Sequence, residues 1–182
     1  ADACAHTASV SYALQKDYPL SQTQLGIYVE SMSRHGEVVY NNGMLFQLNP
    51  AIDATRLSKA CEAVVEAHPY IKTRLFVDSQ GNPRQLRNDV ETYHQSVETY
   101  TQQAFEKLKP ELIRPFDLLN DRLFRIRILK TQEAQYLFID FHHIIFDGVS
   151  FNTILKDLKD AYEQLPVERE SFTGYEIALE EL

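Results

Sequence analysis

The chain has 182 residues, enough for one domain with a proper core, and its formal net charge is −8. Lys and Arg are scattered, which argues against a nucleic-acid or anionic-membrane partner, and no run approaches the ~18 apolar residues of a membrane span. The opening ADACAHTASV lacks the basic start and apolar core of a signal peptide, and Cys4 and Cys61 are the only cysteines, so two free thiols and a reducing, cytoplasmic setting are expected.

Residues 1–17 show no sustained periodicity and read as a linker or frayed lead-in. Ser21 and Gln24 form a capping-box pattern, with Leu20 and Leu25 at staple positions. Leu25, Tyr28, Val29 and Met32 then make one apolar face of the first helix. Val38–Leu48 is strand-like, with Asn42 and Gly43 read as a bulge or turn inside it. A second helix is expected over Ala54–Ala67, capped by Asp53 and stapled by Ile52 and Leu57. Its stripe is Leu57, Ala60, Cys61, Val64 and His68, and Pro69 closes it; His68 reads as a cap on the helix terminus.

Tyr70–Val77 reads as a strand in which Tyr70, Lys72, Arg74 and Phe76 share a face, followed by a turn at Ser79–Pro83. Gln85–Glu98 holds short extended pieces, and Tyr100–Leu108 is helical up to the break around Pro110. Leu123–Leu129 is a strand with Phe124, Ile126 and Ile128 opposing Arg125 and Arg127. The loop Lys130–Ala134 returns it into Gln135–His143 as an antiparallel hairpin. A last long helix, Phe151–Leu165, is capped by Ser150, and the tail to Leu182 makes one short acidic helix. Internal repeats, low-complexity segments and the nucleotide motifs GxGxxG and GxxxxGK(S/T) are absent. The pattern predicts an α/β (α+β) sandwich whose mixed, mostly antiparallel sheet is covered by helices.

The stretch Gln135–Ser150 (QYLFIDFHHIIFDGVS) is the one that demands chemistry. Nearly every position through His143 is apolar or aromatic, as in a strand buried on both faces. Period-2 geometry puts Leu137, Ile139, Phe141 and His143 on one side, with Tyr136, Phe138, Asp140 and His142 on the other. Three readings compete for the histidines. They can be core residues satisfied by backbone groups. They can be metal ligands with Asp147, which adjacent strand residues disfavour because they point apart. Or one can act in general acid–base chemistry, since a neutral imidazole of pKa roughly 6.5 accepts a proton near neutral pH, a role worth about 10²–10⁴ in rate.

FHHIIFDGVS resembles the HHxxxDG signature of the condensation-domain superfamily, which includes the condensation and epimerisation domains of nonribosomal peptide synthetases and chloramphenicol acetyltransferase-like enzymes. YPLSQTQLGIYVES (Tyr18–Ser31) is similar to the family's opening motif, and RPFDLLNDRLFRIRIL (Arg114–Leu129) to its PFDL segment. AHPYIKTRLF (Ala67–Phe76) resembles the Arg-His-Glu-x-Leu-Arg-Thr-x-Phe motif, with Ala67 and Pro69 departing from it. The motifs occur in family order over nearly the whole chain.

The resemblance implies a chloramphenicol acetyltransferase-like lobe over residues 18–182, the N-terminal one of a condensation domain whose C-terminal lobe is not in this sequence. It implies that His143 faces the reaction centre, with His142 and Gly148 in the same motif. Asp147 is then structural and pairs with a basic residue: Lys72 holds the motif position, and Arg74 lies two residues on. The implied reaction is attack of an acceptor aminoacyl amine on a donor thioester, both carried on the phosphopantetheine arms of carrier domains. The lobe itself binds no cofactor and no metal. Backbone N–H groups of Gly148 and Val149 are candidates for stabilising the developing negative charge. The implied partners are carrier domains, the second lobe and an adjacent adenylation domain. An epimerisation lobe, a self-assembling acyltransferase and a non-catalytic carrier-docking module are the alternatives.

Overall fold

The computed structural model describes residues 14–146 and 148–181. It begins with β1 (Asp17–Pro19), α1 (Gln22–Ser33), β2 (Asn41–Gln47) and α2 (Ala54–Ala67), followed by β3 (Arg74–Val77), β4 (Pro83–Leu86) and β5 (Val97–Thr99). α3 (Gln102–Leu108), β6 (Phe124–Lys130), β7 (Gln135–His142), α4 (Gly148–Tyr162) and α5 (Gly174–Glu180) complete it.

The expected hairpin is the centre of the fold. β6 and β7 pair antiparallel from Phe124↔Phe141 to Lys130↔Gln135, and the Thr131 N–H donates to the Ala134 carbonyl at 2.9 Å across the turn. β2 joins the other edge of β7 antiparallel, while β5 runs parallel on β6, giving the order β2-β7-β6-β5. A strand with neighbours on both sides and layers on both faces is mainly apolar, and β7 is so apart from Gln135, Asp140 and His142. On one face Leu137, Ile139 and Phe141 pack with Leu57 and Val64 of α2 and Ile154 and Leu158 of α4. On the other, Phe138 meets Phe105, Leu112 and Leu129, and Phe105 stacks on Tyr136 at 4.2 Å. Each such buried side chain contributes about 1.5–3 kcal/mol.

A second, three-stranded sheet has the order β1-β4-β3. Arg84 reaches Asp17 with two N–H groups at 2.9 and 2.6 Å, tying the start of the described chain into the fold. Residues 1–13, including Cys4, lie outside the described residues. Cys61 is a buried free thiol, and burial pushes its pKa up to about 12.

Several expectations are corrected. Tyr70–Val77 is not one strand: Pro69–Lys72 forms a 3₁₀ turn, where proline fixes φ, and the Thr73 hydroxyl donates to the Tyr70 carbonyl at 2.6 Å. Lys72 and Arg74 therefore do not share a strand face. Asn42 and Gly43 form no bulge or turn; both lie in the regular ladder with Phe141 and Asp140. Gly43 answers a packing need instead, since a Cβ there would stand 2.7 Å from Ile113 Cγ1.

In α1 the capping box is present, with the Ser21 hydroxyl accepting from the Gln24 N–H at 3.1 Å. Only part of the expected apolar face is turned inward, however: Tyr28 packs against the core, but Leu25 and Val29 are 44% and 61% exposed, while Gln24 is 7% exposed. His68 caps the C-terminus of α2 as expected, through its backbone N–H to the Val64 carbonyl, while its ring meets Asp157 of α4 at 2.6 Å. α4 begins at Gly148 and ends at Tyr162, so Ser150 lies in its first turn and is not the cap. The acidic tail helix is α5. Thr173 and Glu176 form its capping box, and Tyr175 is fully buried, stacked on Tyr18 at 4.5 Å and edge-on to Tyr70 at 4.7 Å. Among the described residues no helix is long and apolar enough to cross a membrane.

Candidate active site

β7 ends at His142, and His143 opens a 3₁₀ turn running to Ile145. Contrary to the expectation from the sequence, strand parity does not extend to His143; the turn separates the two rings instead. His142 is 4% exposed, whereas His143 is exposed to solvent.

The His142 ring lies between Tyr40, with centroids 5.9 Å apart, and Phe116, edge-on at 5.8 Å. Its Nδ1 accepts the Ile144 N–H at 3.1 Å, which assigns the ring proton to Nε2. Burial lowers its pKa from 6.5 to about 4, and the nearby His143 and Arg125 push the same way. It is neutral at physiological pH and occupied in holding the turn.

His143 is held through its backbone, whose N–H donates to the Tyr40 carbonyl at 2.8 Å, and its ring stands edge-on to Tyr40 at 6.4 Å. No hydrogen bond from the described residues occupies the ring. It opens on a cavity of about 460 Å³ lined by Gln24, Ile27, Tyr70, Phe172 and Ile177. An exposed imidazole at the mouth of a partly apolar cleft is a group that can exchange a proton with whatever the cleft holds.

Behind His142 lies a polar cluster. Asp140 Oδ2 accepts from Asn41 Nδ2 at 2.8 Å and from Arg125 at 3.1 Å, and its Oδ1 is buried without a partner among the described residues. Burial raises the Asp140 pKa, against the pull of Asn41 and Arg125. Arg125 also donates to the carbonyls of Arg114 and Pro115 at 2.7 and 2.8 Å, clamping the loop that carries Phe116.

The remaining motif residues fall as follows. Lys72 is buried, and its ammonium donates to Glu66 at 3.0 and 3.2 Å and to the Glu91 carbonyl at 2.9 Å. Arg74 donates to the Asn120 carbonyl at 3.3 Å. Asp147 lies outside the described residues. Gly148 is the first residue of α4. Sequence reasoning missed Tyr40 and Phe116 as neighbours of the histidines, and it placed Asp140 on the face of His142 without giving it a role. The available signal was Asp140 itself, a lone carboxylate in an otherwise apolar strand opposite Arg125.

A model of the condensation-domain family matches residues 14–175. Gramicidin S synthase 2 of Brevibacillus brevis is 30% identical over 150 residues, covering 82% of this chain and 3% of that protein. The chain thus spans a small part of the curated relative it matches. The condensation domain of the Monacolin K polyketide synthase MokA superposes with a TM-score of 0.77 at 18% identity, covering 93% of this chain and 39% of that one. The epimerization domain from the third module of tyrocidine synthetase B gives 0.74 at 15%, covering 92% and 40%. These likenesses establish the chloramphenicol acetyltransferase-like fold expected from the sequence.

Proposed function

This chain belongs to the condensation-domain family, and on that premise we propose that residues 18–182 are the histidine-bearing N-terminal lobe of a peptide-bond-forming acyltransferase. The observation that carries the reading is the division of labour between two adjacent histidines: His142 sealed and neutral, His143 exposed above a cleft. The acceptor amine nitrogen attacks the donor thioester carbonyl, the C–S bond breaks, and the carrier thiol leaves with a proton. His143 takes the amine proton or orients the amine, and the N–H groups of Gly148 and Val149 at the head of α4 receive the negative charge that develops on oxygen. By its place in the motif Asp147 takes a structural role; of the two bases expected beside it, Lys72 is already engaged by Glu66 and the Glu91 carbonyl, and Arg74 by the Asn120 carbonyl.

Both substrates arrive on phosphopantetheine arms, so the partners are carrier domains, an adjacent adenylation domain and the C-terminal lobe that completes the tunnel. The apolar side chains of Leu25 and Val29, exposed on α1, support a covering lobe. The test is His143→Ala in the two-lobe protein with loaded carriers, read by mass spectrometry of carrier-bound product. The variant should form little or no dipeptide; wild-type yield would refute the catalytic role.

A further inference from the structure

Gln24 is the buried residue of α1, and its amide does more than close the capping box. Its Oε1 accepts from the Ser21 N–H at 2.9 Å and from Gln85 Nε2 at 3.0 Å. Two donors on that oxygen fix the orientation of the amide, so Nε2 must face the other way. That nitrogen meets the Ile144 carbonyl at 2.8 Å and the Tyr70 hydroxyl at 2.7 Å, with Gln85 Oε1 further off at 3.1 Å. The ring of side chains closes on itself: Tyr70 donates to Gln85 Oε1 at 2.7 Å, and Gln85 also donates to the Pro19 carbonyl at 2.8 Å. All three side chains are buried, and a closed network of this kind restrains each of its members.

The Ile144 carbonyl belongs to the three-residue turn that His143 opens. Such a turn has no continuing ladder to set its direction. Its middle residue is gripped from both sides, with the N–H held by His142 and the carbonyl held by Gln24. We propose that Gln24 is a positioning residue for His143: by holding the Ile144 carbonyl it sets the direction in which the exposed imidazole meets the amine. This rests on the reading of His143 given above. It assigns the glutamine of the opening motif a task at the far end of the sequence, 120 positions away.

Gln24→Glu is the sharpest test, because it keeps an oxygen for Ser21 and Gln85 but sets a second oxygen against the Ile144 carbonyl. Leu57→Ala, a core cavity in α2, serves as a comparison destabilised without touching the turn. Both are assayed in the two-lobe protein by single-turnover condensation with loaded carriers. Gln24→Glu should lower the maximal rate about 10- to 100-fold, with the half-saturating acceptor-carrier concentration unchanged, because misplacement by about an ångström is costly at the reacting centre. Leu57→Ala should keep the rate at temperatures where it is folded. A wild-type rate for Gln24→Glu, or an equal loss in Leu57→Ala, overturns the proposal. If Gln24→Glu does not fold, Gln24→Met, which lacks both donor and charge, replaces it with the same expectations. His143→Ala in the same assay separates the two readings. If it is active, the role of His143 fails; if it is inactive beside a normal Gln24→Glu, only the positioning role fails.

Discussion

The guanidinium of Arg125 lies 3.6 Å from the centroid of the Phe116 ring, and the edge of that ring meets His142. One arginine thus joins the buried carboxylate of Asp140, the carbonyls of the loop from Arg114 to Pro115, and the aromatic wall of the histidine site. Its planar fork suits this task in a way that a lysine ammonium does not.

Arg125→Ala should therefore destabilise the fold by about 3–5 kcal/mol, chiefly by leaving Asp140 buried and uncompensated. Arg125→Lys should recover less than half of that. Pairing Arg125→Ala with Asp140→Leu should restore much of it, because no charge is then stranded. Urea unfolding of these variants beside the wild type measures this. An additive double variant would mean that Asp140 is not the partner that matters.

The depressed pKa of His142 has a definite sign in the stability. The unfolded ring binds a proton near pH 6.5 and the folded one only near 4, so between these values the unfolded state holds more protons. Stability is complete above about pH 6.5 and falls as pH drops toward 4, by roughly 3 kcal/mol from this group. Asp140 and Glu170, whose pKa values burial raises, act in the opposite sense. The comparison must therefore be a difference between wild type and His142→Gln. The variant should lose less stability between pH 7 and 4.5 in chemical denaturation, and parallel curves would contradict the buried neutral ring.

Gly174 opens α5 against the Tyr70 ring, and a Cβ there would stand 2.4 Å from Tyr70 Cζ and from its hydroxyl. Tyr70 is held in the Gln24 network and has little room to yield. Gly174→Ala should cost about 1–3 kcal/mol through overpacking. Gly81→Ala should also destabilise the protein, but through its positive φ of 87° in an open turn with no neighbour within 4 Å. A Gly174→Ala, Tyr70→Leu double variant should be less destabilised than the sum of its parts. That result separates the clash at Gly174 from a backbone effect.

If this lobe normally meets a second one, the 182-residue chain should fold on its own and be inactive. Proximity of two tethered substrates supplies much of the rate, and one lobe cannot supply it. Adding the C-terminal lobe in trans should restore some condensation. Robust turnover by the chain alone, with a trimer seen in light scattering, would favour a self-assembling acyltransferase instead.

Patterns confined to neighbouring residues were legible from the sequence. The Ser21 and Asp53 caps, the Ala54–Ala67 helix, the hairpin around Lys130–Ala134 and the two faces of β7 up to Phe141 all depend on local hydrogen bonds or on side-chain period. The HHxxxDG motif likewise marked His142 and His143. What the sequence could not decide were the contacts that bring distant segments together. Whether α1 buries Leu25 or Gln24 depends on partners some 45 to 120 residues further along the chain: Tyr70, Gln85 and Ile144 hold the Gln24 amide inward and leave Leu25 exposed. The separation of the two histidines is also tertiary. Strand parity was a sound rule applied one residue too far, because Tyr40, Ile144 and Gln24 together end the strand at His142 and turn His143 outward.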